Sequence, residues 1–334
     1  MELPVVARVY RGNLVESSHY GSAVVVNREG EVLYAAGEPA RLTYLRSAAK
    51  PLQVLPLFTT GAAQAYSFSL SQVAVMCASH SGQPVHQEQV LSILERVGLS
   101  ESHLQCGVHR PFHGPTARAL AAAGEQPGPR HNACSGKHAC MLAISRFKGW
   151  DIAGYTRLEH PVQQEMLAAV ARLTGVAPGE IVTGLDTCGV PVFAVPLYNI
   201  ALAYARLARP EGEEGGWRMG MEAVAAAMAR YPELLAGEGR FTTALLEAYA
   251  GKILAKDGAE ALFCLGLPHR GWGIAVKIED GSDRALAPVV LQLLREVGLL
   301  SGDLPPALAP FAQPEVHTHR GELAGRIVPV SLFS

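Results

Sequence analysis

The spacing of apolar and polar residues divides the chain into strand-like ends and a helical middle. Residues 4–10 and 21–36 are rich in Val and Tyr and contain the turn Asn27-Arg28-Glu29-Gly30, which predicts an antiparallel hairpin or meander. Near the other end, residues 261–267 and 271–279 form two further strand-like runs connected by a Pro/Gly turn.

Helical spacing dominates between these ends. An apolar segment begins at Ser47, but Pro51 and Pro56 predict an irregular start or a break in its helix. The sequence Ser69-Leu70-Ser71-Gln72 resembles a capping box and predicts a helix after it. Further elements are predicted as helices over residues 84–97, 116–123, 137–147, 161–173, 195–208, 217–230, 241–249 and 283–297, and as a strand over 181–185.

This order of elements predicts an α+β fold. The N- and C-terminal strands are expected to form one antiparallel sheet, with a largely helical middle over about residues 45–250 packed beside it. Residues 211–216 are rich in Gly and Glu, and we interpret them as a surface loop within one domain that spans residues 1–334.

Composition narrows the range of partners. The 334 residues are 49% hydrophobic and 17% charged, with a net charge of −2, which is typical of a soluble globular protein. The chain has no Lys/Arg cluster and no membrane-spanning apolar run, which argues against nucleic acid or a membrane as partner and favours a small molecule. Residues 1–8 do not resemble a secretory signal, and the scattered cysteines suggest free thiols or metal ligands, so we expect a cytoplasmic protein.

The candidate chemistry begins with Ser47 and Lys50. Residues three apart on a helix share a face, so the spacing places a nucleophile beside a base. A lysine amine accepts a proton only where burial or a neighbouring cation lowers its pKa. The alternative is that Ser47 caps a helix and Lys50 is solvated. Two later motifs, Ser79-His80-Ser81 and Lys256-Asp257-Gly258, follow in the order seen in serine β-lactamases and glutaminases.

A closer resemblance rests on five sequence blocks. They are R-S-A-A-K-P at 46–51, C-A-S-H-S-G at 77–82, N-A-C-S-G-K-H at 132–138, G-L-D-T-C-G-V-P at 184–191 and A-K-D-G-A-E at 255–260. Together they resemble the thermolabile, rhizobial-type L-asparaginase II family over nearly the whole chain. The resemblance implies hydrolysis of L-asparagine to aspartate and ammonia by a homodimer, on a fold similar to serine glutaminases and class A β-lactamases.

The resemblance also implies the catalytic residues. It pairs Ser47 with Lys50 and Ser79 with Lys256. We expect an acyl-enzyme mechanism in which Ser47 attacks the amide carbon and Lys50 accepts its proton. The roles of the two serines remain interchangeable at this point. Either lysine charge would depress the pKa of the other lysine in a shared pocket.

A zinc site is implied in the same way, through Cys134, Lys137 and Cys188. Spacing alone favours His138 over Lys137 as the third ligand, because a lysine must lose its proton to bind a metal. Without the resemblance, we would interpret Cys134 and Cys188 as small buried residues at the ends of loops.

Substrate-binding candidates are Arg46 and Asp186, for the α-carboxylate and α-amino groups of the substrate, and His138 beside the zinc motif. A glutaminase is the main alternative, since one methylene separates the two substrates. A β-lactam hydrolase is disfavoured because Ser79-His80-Ser81 replaces Ser-Asp-Asn. A non-catalytic protein that binds a metal or an amino acid is the alternative outside enzymes.

Overall fold

The computed structural model describes residues 3–333; the ends of the predicted domain, residues 1, 2 and 334, lie outside it. Its main feature is an antiparallel sheet with the strand order β10-β11-β1-β2-β9-β8-β7, and β3 pairs separately with β2. These strands are β1 (Val5–Arg11), β2 (Leu14–Asn27), β3 (Val32–Ala36), β7 (Leu254–Gly258), β8 (Leu262–Leu267), β9 (Trp272–Ile278), β10 (Glu315–His317) and β11 (Leu323–Pro329).

A smaller antiparallel sheet has the order β4-β6-β5, formed by β4 (Leu42–Tyr44), β5 (Val182–Leu185) and β6 (Pro191–Pro196). The longer helices are α4 (Leu70–Met76), α5 (Pro84–Arg96), α6 (Gly114–Ala122), α7 (Ser135–Lys148), α8 (Pro161–Thr174), α9 (Leu197–Ala208), α10 (Gly215–Arg230), α12 (Phe241–Tyr249) and α13 (Leu286–Glu296). The short helices are α1 (Lys50–Gln53), α2 (Pro56–Thr59), α3 (Ala62–Ala65), α11 (Pro232–Leu235) and α14 (Ala309–Ala312).

Helix α9 packs closely against the main sheet. It lies over β2, β8 and β9, and glycines on the last two strands allow the backbones to approach. A Cβ atom at Gly273 would lie 1.9 Å from the Ala201 carbonyl oxygen, and one at Gly266 would lie 2.7 Å from the Tyr204 carbonyl oxygen. The core therefore forms between this helix and the sheet, and it continues into the helical region.

The predicted α+β fold is confirmed, because strands from both chain ends share one antiparallel sheet. The turn at residues 27–30 joins β2 and β3, and the Gly30 N–H donates to the Asn27 carbonyl oxygen. The segment after Ser47 is broken as expected, into a 3₁₀ turn and the short helices α1, α2 and α3. Ser69 caps α4 through a complete capping box with Gln72.

Several strands differ from the prediction. Residues 254–258 were expected only to precede a strand pair, but they form the edge strand β7. The predicted helix over 195–208 begins at Leu197, because the residues before it complete the central strand β6 of the small sheet. Strands β10 and β11 lie beyond the last predicted element. These differences lie in short or continuously apolar strands, which lack the alternation that identifies a half-buried strand.

Candidate active site

The residues that carry the predicted chemistry begin in the 3₁₀ turn Arg46–Ala49. The turn is fixed at both ends: the Leu45 N–H donates to the Phe193 carbonyl oxygen on β6, and Tyr204 Oη on α9 donates to the Ala48 carbonyl oxygen. Arg46 has φ of +47°, a conformation that costs a residue with a side chain about 1–3 kcal/mol. The fold holds this strained residue directly before Ser47, which faces a cavity.

Lys50 is fully buried under the same cavity. Its Nζ atom bonds to the Ala78 carbonyl oxygen at 2.6 Å, the Ser79 Oγ at 2.9 Å and the Ala133 carbonyl oxygen at 3.2 Å. Within residues 3–333, no hydrogen bond joins Lys50 to the Ser47 hydroxyl. The structure therefore brings Lys50 to Ser79, whereas the sequence analysis paired it with Ser47.

Ser79 lies in the segment that follows α4. Its N–H donates to the Leu235 carbonyl oxygen, which anchors the segment to α11. The next residue, His80, accepts the Gly82 N–H at Nδ1, so its proton is on Nε2 and is donated to Ser135 Oγ at 2.8 Å. Burial is the main cause that lowers the His80 pKa well below its usual value. His80 is therefore a neutral side chain that links the Ser79 segment to α7.

Lys256 is also fully buried, on β7. Its Nζ donates to the Asp257 side chain at 2.8 Å and to the Asp257 carbonyl oxygen at 2.9 Å, rather than to Ser79. Burial lowers the pKa of Lys256, the Lys50 charge adds to that effect, and Asp257 opposes it. Burial acts to raise the pKa of Asp257, but Lys256 and Arg240 outweigh it, and the pKa falls below its usual value.

Two buried thiols face each other beside the serines. Cys134 immediately precedes α7, Cys188 lies between β5 and β6, and both line the same cavity. The interaction with Cys188, assisted by the charges of Lys50 and Lys137, lowers the pKa of the Cys134 thiol well below its usual value despite burial. The interaction with Cys134 and burial both raise the pKa of the Cys188 thiol.

Lys137 and Asp186 complete this cluster. Lys137 Nζ lies 3.7 Å from Asp186 Oδ2, and the Cys188 thiol lies 3.8 Å from the same oxygen. Burial acts to lower the Lys137 pKa, but Cys188, Cys134 and Asp186 outweigh it and raise the pKa. Within residues 3–333, no three His, Cys, Asp or Glu side chains are grouped to hold a metal. The implied zinc set therefore depends on the lysine as third donor.

Asp186 also forms an ion pair with Arg46, whose Nε donates to Asp186 Oδ1 at 3.0 Å. Burial acts to raise the Asp186 pKa, and the charges of Lys137 and Arg46 outweigh it and lower the pKa. Both residues line one cavity of about 710 Å³, together with Ser47, Ser79 and the two cysteines. The cavity thus brings both candidate serines, the Cys134 and Cys188 thiols and this charge pair to one surface.

His138 takes a different place from the one expected. It is fully buried and is not among the described residues that line the cavity, so it lies behind the cavity wall and not at its surface. Tyr155 Oη accepts the Gln105 N–H, and a hydrogen bond of 2.7 Å joins it to His138 Nδ1. The Nε2 atom of His138 has no hydrogen-bond partner among the described residues. Burial is the main cause that lowers its pKa.

Residues 7–329 match the family model for L-asparaginase II. The chain belongs to this family. It is therefore an amidohydrolase that acts on a small-molecule substrate, as the five sequence blocks implied. No curated protein matches the chain. Within residues 3–333, no helix is long and apolar enough to cross a membrane.

Two solved structures share features with this family member. A β-lactamase from Mycobacterium bovis is 19% identical, with a TM-score of 0.41, and the match covers 83% of this chain and 94% of that one. A protein named Mglu, in its glutamate form, is 15% identical, with a TM-score of 0.46 and coverage of 90% and 67%.

The far side of the cavity holds residues that the sequence analysis did not select. Arg240 Nη2 and Thr242 Oγ1 both donate to the Asp257 carboxylate, at 3.3 Å and 3.1 Å, and all three residues line the cavity. Asp257 follows Lys256 directly, and alternation along a strand places neighbouring side chains on opposite faces. The acid beside a predicted catalytic lysine was a visible signal, whereas Arg240 and Thr242 reach Asp257 only through tertiary packing of the α12 region against β7.

Proposed function

We propose that this asparaginase II family member hydrolyses the side-chain amide of L-asparagine to aspartate and ammonia. The observation that carries the proposal is the buried Lys50 amine at 2.9 Å from Ser79 Oγ, beneath a cavity that Ser47 also lines. A serine hydroxyl needs a base to act as a nucleophile. This contact supplies a base to Ser79, which would pass the Ser47 proton to it.

The contacts of Lys50 suit a proton acceptor. A neutral amine has two N–H groups and one lone pair, whereas an ammonium group has three donors. As an ammonium group, Lys50 donates to the Ala78 and Ala133 carbonyl oxygens and to Ser79 Oγ. As the neutral amine that the proposed reaction needs, it would keep the two carbonyl oxygens and accept from the Ser79 hydroxyl. In the proposed reaction, Ser47 attacks the amide carbon and its proton passes through Ser79 to Lys50. Ammonia then leaves with a proton, and water hydrolyses the acyl-enzyme.

Lys256 would act by its charge state. Its pKa is lowered by burial and by the charge of Lys50. Asp257 shares its carboxylate with Lys256 and Arg240, which fixes the lysine at the edge of the site. The substrate head group would meet Arg46 through its α-carboxylate and Asp186 through its α-ammonium, because these two opposite charges line the same wall.

The donor set supports a zinc ion near the serines. Cys134, Lys137 and Cys188 are all buried, and both cysteines act on the Lys137 pKa. Thiolates are good zinc ligands. Cys134, Lys137 and Cys188 would hold the ion, with Lys137 losing its proton on binding. Zinc would act as a Lewis acid and orient the substrate. His138 fits less well than spacing suggested, because it is not among the described residues that line the cavity, whereas Cys134 and Cys188 are.

The metal is tested by elemental analysis and kinetics. We expect bound zinc in the wild type, less in Cys134→Ser, Lys137→Met and Cys188→Ser, and a raised KM with measurable kcat after chelation. Zinc affinity should fall as pH drops, because all three ligands bind deprotonated. Full activity in metal-free wild-type protein would contradict this, and zinc loss in His138→Ala but not in Lys137→Met would favour the histidine.

Ammonia release from L-asparagine by purified protein tests the function, with L-glutamine as the competing substrate. A diazoketone analogue of asparagine, followed by peptide mass mapping, identifies the nucleophile. We expect the label on Ser47, and a label on Ser79 would show that the serine bonded to Lys50 attacks directly. Equal rates of hydrolysis of L-asparagine and L-glutamine would show that the enzyme is an amidase of broader specificity and not an asparaginase. The implied homodimer stays a prediction, which the molar mass in solution tests.

A further inference from the structure

The cavity is larger than an asparagine substrate requires. Its volume of about 710 Å³ falls within the range of about 300–1,000 Å³ that is usual for drug-sized ligands, whereas asparagine is a much smaller molecule. The turn that carries Ser47 packs against β7, since a Cβ atom at Gly258 would lie 2.8 Å from the Leu45 carbonyl oxygen. Residues of β8, α12 and α13 line the cavity in addition to the Arg46–Asp186 pair, and we call the part that they line the far part of the cavity.

The far part of the cavity is mainly apolar. Phe241, Phe263, Leu286 and Ala287 line it, at the starts of α12 and α13 and on β8. The rings of Phe241 and Phe263 are 5.2 Å apart and tilted by 46°. An amide nitrogen that leaves as ammonia would not contact this wall, so the wall is suited to a group attached to that nitrogen.

One cation stands beside the apolar wall. Arg240 lines the cavity, with 36% of its side chain exposed, and its hydrogen bond to Asp257 is a single contact of 3.3 Å. Asp257 is already shared with Lys256 and Thr242, so it does not neutralise Arg240 alone. Asp283 also lines the cavity, within the influence of the Arg240 charge. A guanidinium beside an apolar wall suits a carboxylate attached to an apolar group.

We propose that this cavity also accepts β-aspartyl dipeptides with an apolar C-terminal residue. The proposal rests on the proposed asparaginase function. The aspartyl head group occupies the Arg46–Asp186 side, the apolar side chain of the second residue lies against Phe241 and Phe263, and its carboxylate meets Arg240. Ser47 Oγ forms an ester with the β-carbonyl carbon, and the carbon–nitrogen bond breaks. The amine of the second amino acid leaves with a proton, and water then hydrolyses the ester.

The first experiment measures the activity of the purified enzyme on four compounds. They are L-asparagine, β-L-aspartyl-L-phenylalanine, the α-linked isomer of that dipeptide and the C-terminal carboxamide of the β-linked dipeptide. We expect release of phenylalanine from the β-linked dipeptide and none from the α-linked isomer, which lacks the side-chain amide. The C-terminal carboxamide of the β-linked dipeptide should have a KM about tenfold higher, because it offers no negative charge to Arg240.

Variants at and near the cavity wall test where the dipeptide binds. Ala287→Trp, at a half-buried position on α13, should lower kcat/KM for the β-linked dipeptide by about tenfold relative to asparagine, by filling the space. Gln292→Trp, on the same helix but not on the cavity wall, is the matched control and should leave the ratio unchanged. Arg240→Gln should raise the KM of the dipeptide but not of its carboxamide.

The outcomes separate this inference from the function on which it rests. Hydrolysis of asparagine without hydrolysis of the dipeptide would overturn the inference alone. A ratio that Ala287→Trp and Gln292→Trp change equally would also overturn it. Hydrolysis of the dipeptide without hydrolysis of asparagine would support the larger substrate and overturn the asparaginase proposal. Failure of both substrates would overturn both.

Discussion

At the residue scale, the site depends on which groups form hydrogen bonds with each buried lysine. The sequence spacing placed Ser47 and Lys50 on one face, and both do lie at the same site. Spacing within one helix, however, cannot show that the segment after α4 passes beneath the cavity and offers the Ala78 carbonyl oxygen and Ser79 Oγ to Lys50. The contact is tertiary, so local geometry predicted the participants and not the pairing.

Arg46 shows a second limit at this scale. Its positive φ is a conformation that an arginine adopts only where the surrounding structure enforces it. Here the Leu45 backbone is tied to β6 and the Arg46 side chain to Asp186. The sequence around Arg46 does not indicate this strained backbone conformation, although Arg46 itself was a candidate for substrate binding.

The Ser47–Lys50 unit gives the first prediction. Ser47→Ala and Lys50→Met should each lower kcat by about three orders of magnitude or more, and the double variant should be hardly worse, because the groups act in one step. Lys50→Met should also unfold more easily, since the carbonyl oxygens of Ala78 and Ala133 lose a buried donor, at about 1–3 kcal/mol each. Urea unfolding and steady-state kinetics measure both effects.

The stability effect distinguishes the two variants. Ser47 has no hydrogen bond from its hydroxyl within residues 3–333, so Ser47→Ala should unfold like the wild type. Losses of kcat that multiply in the double variant would show that the two residues act independently. An unchanged urea midpoint in Lys50→Met would show that the buried contacts of the amine contribute little.

At the element scale, the site is assembled by the packing of α4 against α7. Gly136 is the contact point, where a Cβ atom would lie 1.9 Å from the Val75 carbonyl oxygen. The segment after α4 carries Ser79, and α7 carries Lys137 directly after this glycine. His80 joins the two by its hydrogen bond to Ser135. A close approach of these helices therefore positions both the serine and the metal candidates.

Gly136→Ala is accordingly predicted to damage fold and activity together. The added methyl group collides with rigid backbone, so we expect a loss of about 1–3 kcal/mol or more in unfolding free energy and a strongly reduced kcat/KM. Gly179→Ala is the control, because a Cβ atom there meets nothing within 4 Å. Thermal unfolding and ammonia release on both variants give the comparison. A Gly136→Ala protein that behaves like Gly179→Ala would contradict this account of the packing.

Elements with strong local signals were predictable, and the others were not. The capping box at Ser69 and the prolines after Ser47 act within one turn of chain, so sequence was sufficient for them. Strand β6 is buried along most of its length and has no polar alternation, and β7 is an edge strand whose Lys256 and Asp257 resembled a polar turn. Their pairing partners, far away in the sequence, define them.

At the scale of the whole molecule, the helical middle is closed by a sheet from both chain ends. Strand β1 pairs with β11 as well as β2, so the first and last strands of the described chain are neighbours. Lys256 on β7 is brought to Lys50 by this arrangement, which adds the charge of Lys50 to the effects that lower the Lys256 pKa. The second half of the catalytic set thus depends on the complete sheet, and a local motif could only suggest it.

Buried histidines make the free energy of unfolding of the whole molecule depend on pH. His80 stacks on His86 with ring centroids 5.0 Å apart, and each accepts a backbone N–H at Nδ1. Each donates from Nε2, His80 to Ser135 Oγ and His86 to the Glu233 carbonyl oxygen. Protonation of either ring would therefore break the bond at Nδ1. Burial lowers the pKa of His86 from 6.5 to about 4, and it lowers that of His80 further below its usual value.

The sign of the pH effect follows from these directions. Between about pH 6.5 and pH 4 the unfolded chain binds protons at these histidines and the folded protein does not, so the free energy of unfolding falls as pH falls. Each histidine contributes about 1.4 kcal/mol per pH unit within that window. We therefore predict a steep loss of the urea midpoint between about pH 6.5 and pH 4.

His86→Gln should make this dependence shallower by about one proton, because glutamine has no titrating group, although the variant is less stable at neutral pH. The exposed His269, replaced by Gln, is the control and should leave the slope unchanged. Urea unfolding at several pH values measures the slope in each protein. Equal slopes in the wild type and His86→Gln would show that His86 titrates alike in the folded and unfolded chain, which its burial and the Gln83 N–H donated to its Nδ1 argue against.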